Sequence, residues 1–323
     1  MISRLSQFTK TTFSSITFSR EIVLLLLLLL ECTIFSFISP YFLSLGNIYD
    51  SIRSFIEIGI IALAMTMIIM TGGIDLSVGS LLALVSVVVG FSYSFGLPFP
   101  LSMLLGVVIG TLAGLFNGVF IVYFRLHPIA VTLGTYALFR GIGYAISNAN
   151  AVSVFPGWFA FIGQSYFFGI PTQIYIFLLI SIGFYLYLAK TRFGTYISAI
   201  GINEEAAKFS GVPINNVKLI VYTLAGFLVS LSSIIYTSRF STARANAGIE
   251  FELIAIAAVV LGGASIKGGK GSVLGTILGL LILAFLKAGL ILVGVRNDWG
   301  LVANGIVLII GVFINEYFRN DEE

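Results

Sequence analysis

The chain has 323 residues, of which 58% are hydrophobic and 10% are charged, and its mean hydropathy is +1.07. A soluble domain of this length cannot bury so much apolar surface in one core, whereas a lipid bilayer accepts it. The composition therefore predicts an all-α polytopic membrane protein in which residues 1–323 form a single transmembrane domain. The net charge of +3 comes from scattered basic residues, which argues against nucleic acid as a partner. One histidine and one cysteine, His127 and Cys32, give no basis for a metal centre, an internal disulfide or an enzyme's active site.

Ten apolar runs follow one another along the chain, give or take one or two. Basic residues precede the first run, which continues past Leu30 without a small-residue cleavage site, so it predicts a retained helix. The run near 251–262 is too short to cross a bilayer and predicts a half-helix or a tilted insertion beside a cavity. The predicted segments are 21–39, 55–70, 77–92, 101–124, 129–147, 173–189, 216–237, 250–264, 272–292 and 299–317.

The break at residues 71–80 interrupts one long apolar stretch, which then resumes. Irregular backbone survives at membrane depth only inside protein or beside a water-filled cavity, so the break is typical of transport proteins. Its glycines allow close backbone approach, and its carboxylate and hydroxyls can satisfy the free amides of the next helix. We therefore predict that the break lines a translocation path, with the candidate residues Gly72, Gly73, Asp75, Ser77, Gly79 and Ser80.

A second Gly-Gly turn, at residues 262–272, resembles this break. The similarity favours duplicated broken helices on the substrate pathway, and chance remains an alternative because the chain has 35 glycines. The turn does not fit a phosphate-binding loop, since Lys270 is followed by Gly271 where that pattern needs Ser or Thr. The sequence thus predicts a cytoplasmic glycine turn and no ATPase activity in this chain.

The distribution of basic residues predicts the orientation. With the N-terminus in the cytoplasm, most of them fall on the cytoplasmic side, which favours cytoplasmic N- and C-termini. The uncharged, aromatic-rich connection 148–171 is then extracytoplasmic. The residues expected inside are Arg125, Lys190, Arg192, Lys208, Lys218, Lys267, Lys270 and Arg319, and those expected outside are Arg53, Arg239, Arg244 and Arg296.

The cytoplasmic connection 190–218 predicts a short soluble helix at about 203–211. Asn203 suits an N-cap, Glu204 and Glu205 suit the first turn, and Gly211 suits the residue after the helix. A helix this short is unstable alone in water, so it must pack against its own membrane domain or against another subunit.

Several motifs together resemble the ribose and simple-sugar permeases of bacterial ABC importers, over nearly the whole chain. They are the stretch 72–80 (GGIDLSVGS), Leu133-Gly134-Thr135, Phe139-Arg140-Gly141, the stretch 199–207 (AIGINEEAA) and the stretch 255–263 (AIAAVVLGG). The resemblance implies a type-II permease of the vitamin B12 importer class in the bacterial inner membrane. It implies a second permease copy or paralogue, two ATP-binding subunits that bind ATP and Mg²⁺, and an extracytoplasmic sugar-binding protein. It also makes the predicted short helix the one that couples to the ATPase, through Asn203, Glu204, Glu205, Ala206, Ala207 and Gly211.

The expected function is therefore import of a ribose-type pentose or related simple sugar by a non-enzymatic transport subunit without a cofactor of its own. Alternatives within the family are autoinducer-2 and rhamnose. A more distant alternative is an ion-coupled secondary transporter, for which Asp75 is the candidate ion ligand and helix capping is the competing role.

Specific roles are expected for three arginines on the outer side. Arg239 and Arg244 are expected to dock the binding protein, with lipid headgroup contact as the alternative. Arg140 is a candidate pathway residue at membrane depth, where an unpaired charge is costly. The sequence predicts that Arg140 pairs with Glu57, whereas contact with the sugar is the rival role.

Overall fold

The computed structural model describes residues 20–296 and, beyond them, residues 299–300, 302–303, 305–307, 309–310 and 313. Helices make up most of residues 20–296, and loops, a 3-10 turn (Gly157–Phe159) and a two-strand hairpin, β1 (Tyr166–Phe167) with β2 (Ile170–Pro171), which the all-α expectation did not include, make up the rest. The helices are α1 (Arg20–Ile38), α2 (Leu45–Met70), α3 (Val78–Ser94), α4 (Phe99–Val122), α5 (Pro128–Ser147), α6 (Ala160–Gln164), α7 (Thr172–Lys190), α8 (Arg192–Ile202), α9 (Glu204–Phe209), α10 (Ile214–Phe240), α11 (Phe251–Leu261) and α12 (Val273–Leu292).

Seven of these helices are long and apolar enough to cross a membrane, namely α1, α2, α4, α5, α7, α10 and α12. The helices α3, with 17 residues, and α11, with 11, are shorter. All nine correspond to predicted segments, while the tenth segment, 299–317, falls in part outside the described residues. The helix α2 begins at Leu45, well before the predicted start at 55, because the Ser44 hydroxyl accepts a hydrogen bond from the Asn47 amide at 3.3 Å and caps it.

The centre of the bundle is α2. Every residue of this helix from Phe55 to Met70 is buried, and α7, α10, α11 and α12 pack around it. A helix that is apolar on all sides is expected in such a position, which explains why no amphipathic pattern marks this segment. Glu57 is the one charged residue in the buried stretch.

Close backbone contact joins α4 to α10. Glycines recur every four residues along one face of α4, and a side chain added at Gly114 would lie 2.9 Å from the Gly226 Cα atom of α10. Small residues at this spacing let membrane helices approach closely enough for dispersion forces to hold them together. The α4 glycines of this face are Gly106, Gly110, Gly114 and Gly118.

The two ends of the bundle carry different structures. The end at which α2 stops also bears α8 and α9, and we call it the α9 end. There the Gly269 amide donates to the Met70 carbonyl at 2.9 Å. The opposite, α6 end bears α6 and the hairpin, and Arg53 of α2 holds them by donating to the Gly163 carbonyl at 2.9 Å and to the Tyr166 hydroxyl at 3.3 Å.

A buried ion pair links α2 to α10 near the α6 end. The Nε atom of Arg239 donates to the Glu57 carboxylate at 2.7 Å, and the Glu57 side chain is fully buried. The predicted pairing of Glu57 with Arg140 is therefore wrong. The reason is tertiary packing, because α10 packs directly on α2 whereas Arg140 lies on α5, which packs on α3 and α4. Similar depth in the membrane did not distinguish between the two arginines.

We expect Glu57→Gln and Arg239→Gln each to lower the amount of assembled protein, since breaking a buried pair leaves the remaining charge unpaired at a cost of about 3–5 kcal/mol. The double variant should recover part of the loss, because neither charge is then left alone. Size-exclusion chromatography of solubilised membranes measures the amount. Lys190→Gln removes an exposed charge and serves as the control. Strictly additive losses in the double variant would contradict the pair.

Candidate functional site

The break between α2 and α3 begins with a glycine-dependent turn. Gly72 has a φ of +79°, its amide donates to the Ile69 carbonyl at 2.8 Å, and the Gly73 amide donates to the Ile68 carbonyl at 3.0 Å. This pair of bonds is the Schellman motif, which satisfies the last carbonyls of a helix and needs a left-handed residue that glycine supplies without strain. The sequence therefore stops α2 at a defined residue.

Polar side chains then satisfy the irregular backbone of the break. The Asp75 carboxylate accepts from the Ser77 amide at 2.8 Å and from the Ser77 hydroxyl at 2.6 Å. Asn117 of α4 donates to the Ser77 hydroxyl at 2.9 Å, and Thr132 of α5 donates to the Ile74 carbonyl at 3.1 Å. Through these contacts, α4 and α5 hold the break that joins α2 to α3 in place. The contacts confirm that Asp75 satisfies an amide at the start of α3, whereas the expected capping by the Ser77 hydroxyl is wrong, because that hydroxyl donates to Asp75 and accepts from no amide of the helix.

The predicted pathway residues do not all face open space. Ser77 and Ser80 are fully buried in this structure, and Asp75 is nearly so. A cavity of about 390 Å³ opens beside Gly72 and Gly73, toward the α9 end. The path-lining role of the break stays a prediction, and it requires a second conformation in which the serines become accessible.

The second glycine turn, between α11 and α12, repeats the first one only in part. The Gly263 amide donates to the Val260 carbonyl and the Ala264 amide to the Val259 carbonyl, which is again a Schellman motif. The helices that follow the two turns begin differently. Ser272 caps α12 by accepting from the Gly275 amide at 3.1 Å, whereas Ser80, the corresponding serine, lies inside α3. The two turns lie together at the α9 end, where the Thr66 and Thr276 hydroxyls are 2.8 Å apart.

The non-helical segment 241–250 enters the bundle from the α6 end. A side chain added at Gly90 of α3 would meet Ala243, and one added at Gly79, eleven residues earlier in α3, would meet the Gly248 carbonyl and Glu252. Eleven residues of helix correspond to about 16 Å, roughly half the apolar thickness of a bilayer. The segment therefore runs a comparable distance into the bundle, to the start of α11, which is as short as the apolar run predicted.

Arg140 of α5 supports this descending segment. Its Nη1 atom donates to the carbonyls of Ala245 at 2.6 Å and Ala247 at 2.7 Å. Carbonyls at membrane depth have no water to bond with, so a fixed guanidinium is an effective partner for them. Arg140 and Gly79, both predicted pathway residues, thus meet the same stretch of chain. Sequence reasoning did not select Glu252, although an acidic residue in the first turn of a half-helix is a usable signal.

The helix α9 has the predicted caps and length. The Asn203 side chain accepts from the Ala206 amide at 2.9 Å, and Gly211 follows the helix with a φ of +81°. Glu204 pairs with Lys218 of α10 at 2.6 Å, which holds α9 against the membrane domain. Ala207 is buried, whereas Phe209 is 90% exposed. The outward face of α9 is therefore formed by neighbours of Ala207 and not by Ala207 itself.

The two outer arginines differ in accessibility. Arg239 is held by Glu57 and lies over the Phe240 ring at 4.2 Å, so its guanidinium already has partners inside the protein. Arg244 is exposed, with one long hydrogen bond of 3.4 Å to the Tyr236 hydroxyl. The docking role stays a prediction for which Arg244 is the better placed of the two. No three His, Cys, Asp or Glu side chains gather as a metal site within the described residues.

Comparison with known proteins identifies the class. A family profile described as "Branched-chain amino acid transport system / permease component" matches residues 47–312, and the chain belongs to this family of transport permeases. The ribose import permease protein RbsC of Bacillus subtilis (strain 168) is 42% identical over 284 residues, which cover 87% of this chain and 88% of that protein. RbsC of Escherichia coli (strain K12) is 37% identical over 90% of this chain and 92% of its own length.

A third relative bears a different substrate name. The autoinducer 2 import system permease protein LsrD of Escherichia coli O9:H4 (strain HS) is 36% identical over 303 residues, or 92% of each chain. No solved structure matches this chain.

The lining role of the break predicts state-dependent labelling. In a Cys32→Ser background, Ser80→Cys should resist a water-soluble thiol reagent in one nucleotide state of the assembled transporter and react in another, because Ser80 is fully buried here. The reacted fraction is measured by mass shift on a gel. Ser94→Cys, at an exposed position, should react in every state, and Thr66→Cys, in the core, in none. Protection of Ser80→Cys in all states would remove the lining role.

Proposed function

We propose that this chain is the membrane-spanning permease subunit of an ATP-driven importer for a ribose-type pentose or a related simple sugar. The observation that carries the proposal is the similarity to ribose import permeases at 37–42% identity over 87–90% of the chain. The capped helix α9 with its exposed phenylalanine supports the same assignment, because an ATPase subunit must bind a rigid element of the permease in order to move it. ATP and Mg²⁺ would bind to the partner ATPase.

Import of autoinducer-2 is the second candidate, and the similarity to LsrD favours it. An ion-coupled mechanism fits less well. The Asp75 carboxylate is occupied by Ser77 as a cap, and within the described residues it belongs to no group of carboxylates that could hold a coupling ion.

The finer architecture follows as part of the proposal. Seven long helices and two short ones, with the run 299–317 as a tenth, agree with a type-II permease of the vitamin B12 importer class. Basic residues at the α9 end support a cytoplasmic location for that end and for both termini. A second permease copy or paralogue would complete the path, and two ATPases and an extracytoplasmic binding protein would complete the importer in the bacterial inner membrane.

The helix α9 is proposed to couple the membrane domain to the ATPase. Phe209 and Ile202 are exposed at the α9 end, and large apolar side chains of this kind are typical anchors in protein interfaces. The cavity beside Gly72 and Gly73 is also lined by Asn203 and Glu204, so it separates the break from the start of α9. A displacement of α9 therefore has room to reach the break without overpacking the core.

At the α6 end, Arg244 is proposed to guide the binding protein through acidic surface residues. Exposed charges chiefly steer encounter and fix orientation. Arg244→Glu should then weaken stimulation by the binding protein in a salt-dependent manner, and unchanged stimulation at low salt would remove this role.

Reconstitution tests the proposed function directly. Proteoliposomes containing the permease and its ATPase should accumulate radiolabelled D-ribose only with binding protein on one side and Mg²⁺ with ATP on the other. Phe209→Asp should abolish uptake and the copurification of the ATPase while leaving the permease's own size-exclusion profile unchanged, because the side chain is solvent-exposed in the single chain.

Phe95→Asp is the matched control, since Phe95 is 81% exposed at the α6 end and should leave uptake intact. Ribose uptake that is driven by an ion gradient without ATP would contradict the importer and support a secondary transporter. Normal uptake by Phe209→Asp would contradict the coupling role of α9 alone.

A further inference from the structure

Two charged side chains with unused hydrogen-bonding atoms lie against the same mid-membrane stretch, residues 245–252. Arg140 approaches it from α5 and bonds to the carbonyls of Ala245 and Ala247 through Nη1. Glu252 lies in the first turn of α11, with its carboxylate beside Gly79 of α3. A cation from α5 and an acid from α11 thus meet this stretch near the start of α11.

Each of the two groups retains one buried atom without a partner. The Oε2 atom of Glu252 and the Nη2 atom of Arg140 make no hydrogen bond within the described residues, although both atoms are inaccessible to solvent. The Glu252 residue is 7% exposed, so it is more than nine-tenths buried. Buried polar atoms are almost always satisfied, so each exception needs an explanation, and a bound group that supplies the missing bond is one.

The backbone here is held in an unfavourable conformation. Glu250, which immediately precedes α11, has a φ of +70° and a ψ of 0°, a left-handed conformation that costs energy for a residue with a side chain. Gly79 has no side chain, and any larger residue at that position would collide with the Glu252 carboxylate. The carboxylate therefore occupies space that α3 leaves open specifically at Gly79.

The site lies beside an exposed surface and not at the centre of the bundle. Ile249 and Leu253, on either side of Glu250, are about half exposed, and Gly141 of α5 has open space around its Cα atom. A path that runs along α5 and the start of α11 would therefore pass Arg140 and Glu252. Discontinuous helices at the midplane form the substrate sites of many transporters.

We propose that, in a second conformation that exposes their unpartnered atoms, Glu252 and Arg140 form a binding site for two neighbouring hydroxyl groups of the transported sugar. The Glu252 Oε2 atom accepts a hydrogen bond from one hydroxyl, and the Arg140 Nη2 atom donates to the oxygen of the next. One acid and one cation together carry no net charge, which suits a neutral polyol better than a lone charge would. This site rests on the proposed sugar import and adds the residues that recognise the cargo.

A comparison of sugars and variants tests the site. Initial uptake rates in proteoliposomes are measured for D-ribose and for its 2-, 3- and 5-deoxy analogues, at equal concentrations of sugar-loaded binding protein. In the wild type, loss of a hydroxyl that contacts Glu252 should lower the rate about tenfold, as expected for a hydrogen bond to a charged group. In Glu252→Gln, D-ribose itself should be slowed, and loss of that same hydroxyl should have little further effect.

Glu31→Gln is the matched control, because Glu31 lies in α1 with both carboxylate oxygens buried and unpartnered among the described residues. For every analogue, this variant should keep the wild-type ratio of the analogue's uptake rate to that of D-ribose. Equal ratios in wild type and Glu252→Gln for all three analogues would overturn the proposal and leave Glu252 with a gating or structural role.

Assembly is measured alongside by size-exclusion chromatography. If Glu252→Gln fails to assemble, the same sugar series is run with Glu252→Asp, which keeps the charge but withdraws the carboxylate. Failure of both variants to assemble, with Glu31→Gln normal, would assign Glu252 to folding and overturn the site. Absence of ribose uptake in the wild type would contradict the proposed function itself, which is a separate outcome.

Discussion

Backbone carbonyls and amides at membrane depth must find partners inside the protein, because lipid offers none. Two non-helical stretches, 71–77 and 241–250, obey this constraint in different ways. A Schellman turn closes the end of α2, and side chains of α5 bond to carbonyls of both stretches. Thr132 donates to the Ile74 carbonyl in the first stretch, and Arg140 donates to two carbonyls in the second. The helix α5 therefore supports both irregular stretches at once, and movement of α5 would disturb both.

The sequence was sufficient to predict those features whose hydrogen bonds form between residues close together in the chain. The caps of α9, Asn203 and Gly211, form hydrogen bonds and turns within a few residues of themselves, so their residue types alone predicted the helix. The turn at Gly72 and the short α11 were predictable for the same reason. Apolar runs located nine of the described helices, since lipid imposes length and composition independently of the neighbours. The start of α2 was missed because Ser44 caps it far from the apolar centre.

Contacts between distant segments were not predictable in the same way. Glu57 could have paired with any basic residue at its depth, and only the packing of α10 on α2 selects Arg239. Ala207 was expected to face the ATPase, but its side chain is buried and Phe209 faces outward, because a six-residue helix has no repeat from which its exposed face can be deduced. The environment of Glu252 was not predicted because it is formed by Gly79 and Arg140, which belong to other helices.

The central claim is that residues 241–250 descend along α5 into the membrane. An ideal Cβ atom at Gly143 of α5 lies 3.7 Å from the Cβ atom of Ala245, within the range of disulfide geometry. In a Cys32→Ser background, the Gly143→Cys, Ala245→Cys pair should form a disulfide under mild oxidation, detected by mass spectrometry of the linked peptides. Linkage would agree with the descent of the segment beside α5. Two free, alkylatable thiols in an assembled protein would contradict it.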